Sequence, residues 1–415
     1  MKRLSILVVL TLAGAAHADV LVFTHAKIHT VGAAGTLEDA TLIVRNELID
    51  GVGINLSVPE GAKVIDAKGR VITPGLFDAY TQLGLDEISG VAETRDDSTA
   101  NPRYSAALDV LDGLNPRSVL IPVNRIEGIT QAMTAPITGD GGPLIAGRGA
   151  IINLGTLADS AFVAKPRAAM FAQLGESAMG LVKGGRPAVM LAMREGFEEV
   201  KHAGTSSTVQ RDSLLGALDI EALKPVLAGD MPLVVHVERA ADIRAALKLA
   251  DEYGIKLIIH GGAEAYLLAQ ELAEKKVPVI LDPELNLPTH FETLAHRADA
   301  AATLQKAGVL IAFASEQESV GTHNSRNIRQ LAGNSVAYGM PWNAALAAVT
   351  INPAKIYGLD STLGSLEPGK QANFVVWDGD PLEVTSFAMQ VYAAGKAIPM
   401  ISRQTLLRDR YLKNR

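Results

Sequence analysis

The chain predicts an α/β protein: a TIM-like (β/α)8 barrel joined to a small β-sandwich domain that is assembled from both termini. Three observations predict it. The middle, 73–359, alternates short continuous apolar runs with Ala-rich helical stretches. The two ends, 19–72 and 360–415, carry short alternating segments that stop at Gly, Asn or Pro. No Gly-x-Gly-x-x-Gly opens a helix after a first strand, which sets a dinucleotide fold aside. A doubly wound open sheet is the competing arrangement for the middle.

Taken in chain order, residues 1–18 read as a cleaved secretory signal. Lys2 and Arg3 form a positive start, Leu4 to Ala13 an apolar run, and Ala16 to Ala18 an A-x-A-like cleavage site. The run is too short to span a bilayer. Cleavage after Ala18 removes two positive charges and takes the formal net charge from -7 to -7 - 2 = -9. The chain has no cysteine, so it carries neither a disulfide nor a lipidated N-terminal cysteine. The expectation is a mature protein that begins at Asp19 and is soluble in a bacterial periplasm.

The sandwich is read from "VLVFTHAKIHTV", "ATLIVRNELIDGVG" and "KVIDAKGRVI" at one end, and from "QANFVVWDGDP" and "AMQVYAAGKAI" at the other. In the middle, "PLVVHVE" precedes "RAADIRAALKLADEYG", and "IKLIIHGG" precedes "AEAYLLAQELAEKK". "VPVILDP" and "GVLIAFAS" continue the series. Strands that are apolar throughout are buried on both faces, as in a parallel sheet covered by helices. With 48% hydrophobic and 20% charged residues the composition is that of a globular protein. The acidic balance and the lack of any basic block exclude nucleic acid and anionic membranes as partners.

In such a barrel, chemistry sits where strands end. His236 ends "PLVVH", His260 ends "KLIIH", and Glu316 follows "VLIAFAS". A lone histidine at a strand end is usually a hydrogen-bond partner. Two on neighbouring strands at equal depth form either a shared site or a packed pair. A divalent metal needs several N or O donors at about 2.0–2.2 Å, and converging strands hold donors rigidly. A nearby carboxylate moves a proton from metal-bound water to a leaving amine.

The motifs "VITPGLFDA", "GITQAMTAP", "HVERAADIRAALKLADEYGIKLIIHGGAEAY", "TINPAKIYGL" and "GSLEPGKQANFVVWDGDPL" resemble those of the amidohydrolase superfamily, in its exported imidazolonepropionase-like branch. Together they span most of the chain, with "GITQAMTAP" expected near the third barrel strand. The resemblance implies hydrolysis of C–N bonds in amides or cyclic amides with one or two metals. It implies His-x-His at the end of strand one, where this chain has Tyr80 and Gln82. Residues i and i+2 of a strand face one side, so both would reach the same ion. A neutral phenol and an uncharged amide are poor ligands. The family's strand-eight Asp matches Glu316, and its strand-four bridging residue has no clear match, Lys183 being nearest.

The reading that follows is at most one divalent metal, zinc by its donors, or none. His236 and His260 are its ligands, Glu316 the base, and Tyr80 and Gln82 contacts to a small amide substrate. The competing reading is a non-catalytic binding protein or partner subunit of an intact relative, as a homo-oligomer or hetero-oligomer. Other residues carry blander expectations. Thr138 to Gly149 reads as a βα loop over the barrel mouth, and His290 and His296 as surface or helix-end residues. His323 reads as a polar-loop residue, with replacement of a lost ligand as its lesser alternative, His25 and His29 belong to the sandwich, and the charged end is a solvated helix.

Overall fold

The computed structural model describes residues 20–103, 105–155, 159–203, 215–283, 288, 290–315 and 321–413. The N-terminal strands are β1 (Val20–His29), β2 (Thr36–Arg45), β3 (Leu48–Gly53), β4 (Lys63–Asp66) and β5 (Val71–Pro74). The middle strands are β6 (Leu76–Thr81), β7 (Ile129–Thr134), β8 (Ile145–Asn153), β9 (Val163–Gln173), β10 (Leu233–Val237), β11 (Leu257–Gly261), β12 (Val279–Leu281) and β13 (Ile311–Phe313). The chain closes with β14 (Phe374–Trp377), β15 (Ala388–Ala393), β16 (Lys396–Ala397) and a helix over Arg403–Leu412.

One sheet takes strands from both ends of the chain, in the order β16-β15-β14-β5-β1-β2-β3, with β4 beside β1. β14 runs antiparallel to β5 and is the seam, pairing Phe374 with Pro74 and Trp377 with Val71. Trp377 is fully buried there and donates its indole N–H to the Thr73 hydroxyl at 2.9 Å. A buried indole normally finds such a partner. Phe23, Phe374 and Tyr392 make an aromatic cluster on the sheet, with ring centroids 4.5 to 5.3 Å apart.

The middle strands form a second eight-stranded sheet in strict sequence order, β6 to β13, and β6 lies against β13, so the sheet nearly closes into a barrel. The helix Ala240–Tyr253 shows why the βα reading works. Ile243, Ala246, Leu247 and Ala250 recur at helical spacing and are buried against the barrel. Gly254, at φ 70°, ends the helix in the left-handed region that its missing Cβ permits.

The barrel departs from eight βα repeats on one side. β8 is antiparallel to both β7 and β9. A parallel crossover needs a dozen or more residues, and the stretch between Thr134 and Ile145 is shorter than that. The chain therefore turns straight back. The Gly-rich segment splits accordingly: Thr138 to Leu144 is loop, and Ile145 onward is already strand. "GITQAMTAP" forms the second barrel strand instead of the third.

The barrel is locked to the sheet through the same tryptophan. Gly128, at φ 103°, leaves a gap that the Trp377 ring fills, and a Cβ there would sit 2.8 Å from the ring. Trp377→Ala should lower unfolding stability by about 3–5 kcal/mol, the usual cost of emptying a buried aromatic site. Gly128→Ala should destabilise in the same direction through strain and overlap. Equilibrium urea denaturation of both variants checks this.

Candidate active site

The parallel register of three neighbouring strands brings polar side chains to one level. Gln173 on β9 pairs with His236 on β10, and His236 with His260 on β11. Parallel partners point to the same face, so the three side chains share one end of the barrel. His236 Nδ1 lies 3.4 Å from His260 Nδ1, with the rings at 65°. On the other side of His260, the Tyr80 ring lies over the imidazole with centroids 4.0 Å apart at 31°. Tyr80 also touches Phe171. The sequence pair Tyr80 and Gln82 and the pair His236 and His260 thus meet in one cavity of about 670 Å³.

Two positions at this cavity went unread in the sequence. Gln173 occupies the strand-four end, whereas Lys183 is exposed at the C-cap of the helix Gly175–Val182, with φ 51°. Glu238 sits two residues beyond His236, with Oε1 3.5 Å from His236 Nε2. Its other oxygen accepts the Ala263 N–H at 2.6 Å. Gly261 makes room for it, since a Cβ there would lie 2.4 Å from the carboxylate. The signal for Glu238 was present as the i, i+2 spacing in "HVE". Gln173 gave none, because a neutral amide in an Ala-rich strand carries no mark of chemistry.

The cavity wall is polar but not metal-rich. The Gln82 amide nitrogen is buried and makes no hydrogen bond among the described residues, and the same holds for Arg95 Nε. Arg95 Nη2 faces Asp97 at 3.4 Å. Burial pushes the Asp97 carboxyl up, against the pull of Arg95. Thr138 and Asp140 of the Gly-rich loop also line the mouth.

The remaining histidines fall apart from this group. His290 begins a short 3-10 turn, and His296, held below the usual imidazole range by burial, lines with it a small side cavity bordering His236. His29 packs on Trp342 at 4.4 Å and bonds Thr36, and burial lowers its pKa to about 4. His25 pairs with Asp66 at the surface. Glu316 and the side chain of His323 lie outside the described residues.

Whether these residues fit a divalent ion is decided strand by strand. Two nitrogens at about 2.0–2.1 Å from a tetrahedral ion stand roughly 3.4 Å apart, which is the observed Nδ1 to Nδ1 separation. The strand-one and strand-four positions offer a phenol and two carboxamides. Among the described residues no group of three or more His, Asp or Glu is arranged to hold a metal. The histidine pair therefore offers two nitrogens at a separation that one ion could bridge, and the described residues supply no further cluster of donors.

Comparison with known proteins bears on the family and the fold. The model of the Amidohydrolase family matches residues 248–401. A crystal structure of an amidohydrolase from Thermotoga maritima MSB8 superposes with a TM-score of 0.80 at 29% identity, over 92% of this chain and 100% of that one. The chain belongs to the amidohydrolase superfamily. Among curated relatives, Amidohydrolase tasK of Hapsidospora irregularis is 25% identical over 373 residues, 82% of this chain but 37% of that longer protein. Imidazolonepropionase of Sphingopyxis alaskensis is 23% identical over 400 residues, 87% of this chain and 93% of its own. Within the superfamily, the chain falls in the imidazolonepropionase-like branch.

One buried acid beneath the site also escaped the sequence reading. Asp78 lies two residues before Tyr80 and accepts the Tyr80 N–H at 3.2 Å. Full burial raises its pKa from 3.8 to about 7, against hydrogen bonds from Ser325 and from the Tyr80 and Ser315 backbone, and Asp282 pushes it the same way. Between those two values the folded protein keeps a proton that the unfolded chain has released. Stability should therefore fall as pH rises from about 4 to about 7, and the whole penalty is present above that. Asp78→Asn should flatten this slope by on the order of 1 kcal/mol or more, read as the difference in urea midpoints between pH 4 and pH 8 for variant and wild type.

Proposed function

We propose that this protein is a periplasmic hydrolase that cleaves the C–N bond of an amide or cyclic amide small molecule with at most one divalent metal. The observation that carries the reading is the His236 and His260 pair, at metal-ligand separation, opening into a cavity of small-molecule size. The two imidazoles would hold the ion, zinc by donor type, with Glu316 as base or further ligand, and such an ion would supply Lewis acidity to water and carbonyl. Glu238 fixes the His236 ring from behind, as an outer-shell carboxylate does. The unpartnered Gln82 amide donates to the substrate carbonyl, and the Tyr80 ring covers one face of the bound molecule. Glu316 takes the proton of the attacking water and returns it to the leaving amine.

A second reading has its own support. Tyr80, Gln82 and Gln173 are all neutral where charged or imidazole donors would complete a centre, as in a binding protein or the partner subunit of an intact relative. Metal stoichiometry by elemental analysis separates the two. The hydrolase reading expects one ion or less per chain, loss of binding in His236→Ala, and higher occupancy in Tyr80→His/Gln82→His. No metal in the wild type, with no gain in the double variant, selects the binding protein. Two metals in the wild type overturn the reading of strand one.

Export is part of the proposal and rests on residues 1–18, which lie outside the described residues. Among the described residues no helix is long and apolar enough to cross a membrane. Protein recovered from the periplasmic fraction should begin at Asp19 by N-terminal sequencing. A retained Met1 would count against it.

A further inference from the structure

The end of the barrel opposite the histidines holds a second cavity, of about 530 Å³, with an unusual charge. Five lysines line it against two aspartates, in a chain whose overall charge is -7. Lys165 comes from the start of β9, Lys256 precedes β11, Lys275 and Lys276 precede β12, and Lys355 lies on the helix Ile351–Ile356. Lys165, Lys256, Lys275 and Lys276 sit at or just before the starts of their strands and Lys355 lies in the last turn of its helix, so the barrel itself gathers them.

Their partners do not account for them. Lys275 is neutralised by Asp251 at 2.7 Å. Among the described residues, no carboxylate forms an ion pair with Lys165, Lys256, Lys276 or Lys355, and Asp230 is the other acid on the wall. Lys165 is partly buried and donates to the Tyr357 carbonyl at 2.7 Å, a neutral acceptor. Burial, with Lys256 adding to it, holds its ammonium below the usual lysine range. Like charges collected around a concave surface cost free energy that a bound anion repays.

We propose that this cavity is a binding site for a small phosphate-bearing anion with two or more negative charges, held by Lys165, Lys256, Lys276 and Lys355. Lysine suits this role as a flexible point charge that follows phosphate oxygens. The cavity is large enough for a diphosphate group and lies at the far end of the strands from His236 and His260. Occupancy there is therefore independent of the metal and of amide hydrolysis.

The test is calorimetric titration of the mature full chain with pyrophosphate at low ionic strength. The expected result is saturable one-site binding that weakens as salt is added, since partly exposed charges are screened. Lys256→Ala and Lys276→Ala, both at exposed positions, should each weaken it by about tenfold, the loss of one charge-assisted contact. Lys165→Met should weaken it further. His236→Ala and Lys183→Ala, away from the cavity, should bind as the wild type does. No saturable heat overturns the proposal. So does unchanged binding in Lys256→Ala/Lys276→Ala, or an equal loss in Lys183→Ala, which would mark a diffuse surface effect.

Discussion

The site depends on one constraint, the unbroken parallel register of β9, β10 and β11. It sets Gln173, His236 and His260 opposite one another and leaves no freedom to stagger them. A shift of one residue in any of these strands would turn its polar side chain out of the barrel. The apolar residues below them enforce that register. Phe171, Val234 and Ile258 fill the barrel interior beneath the site, while Leu233, Val235, Leu257 and Ile259 pack against the outer helices. The chemistry at the mouth is therefore placed by hydrophobic burial and not by attraction among the polar groups themselves.

Within that frame the mouth presents a phenol and two carboxamides beside the histidine pair. Tyr80 forms a ring contact with His260 and supplies a stacking surface at the mouth. Gln82 and Gln173 keep hydrogen-bonding capacity without charge. The histidine pair and Glu238 keep the geometry of an ordered imidazole. An amide substrate, which offers one acceptor oxygen and one donor nitrogen, matches amide-lined walls better than an anion would. The anion-friendly charge lies instead at the opposite end of the barrel.

Much of the fold was legible in the sequence, and for a definite reason. Buried parallel strands must be apolar along their length, as in "PLVVH" and "KLIIH", and helices such as Ala240–Tyr253 must show a stripe. The antiparallel turn at β8 was not legible, because its strand is as apolar as its neighbours and only the short connection betrays the direction. His236 and His260 stood out because imidazoles interrupt apolar runs. Gln173 did not, since its meaning comes only from the strand beside it. The lysines of the lower cavity were invisible for the same reason: they are scattered over nearly two hundred positions and become neighbours only when the barrel closes. The absence of a basic block in the chain thus said nothing about local charge.

The seam between β5 and β14 has a consequence in time. Thr73 and Trp377, bonded through hydroxyl and indole, stand 304 positions apart. At a synthesis rate of about 5–20 residues per second, the first strands wait roughly 15–60 s before their partner exists. During that interval the edge of β5 is an open row of backbone donors and acceptors, the kind of surface that invites pairing with another chain. The barrel can assemble meanwhile, since its strands follow one another in order. The small sheet can pair β1 to β5 among themselves but stays incomplete until β14 arrives. Its completion is the step at which the two ends of the polypeptide are brought together and the whole chain commits to one structure.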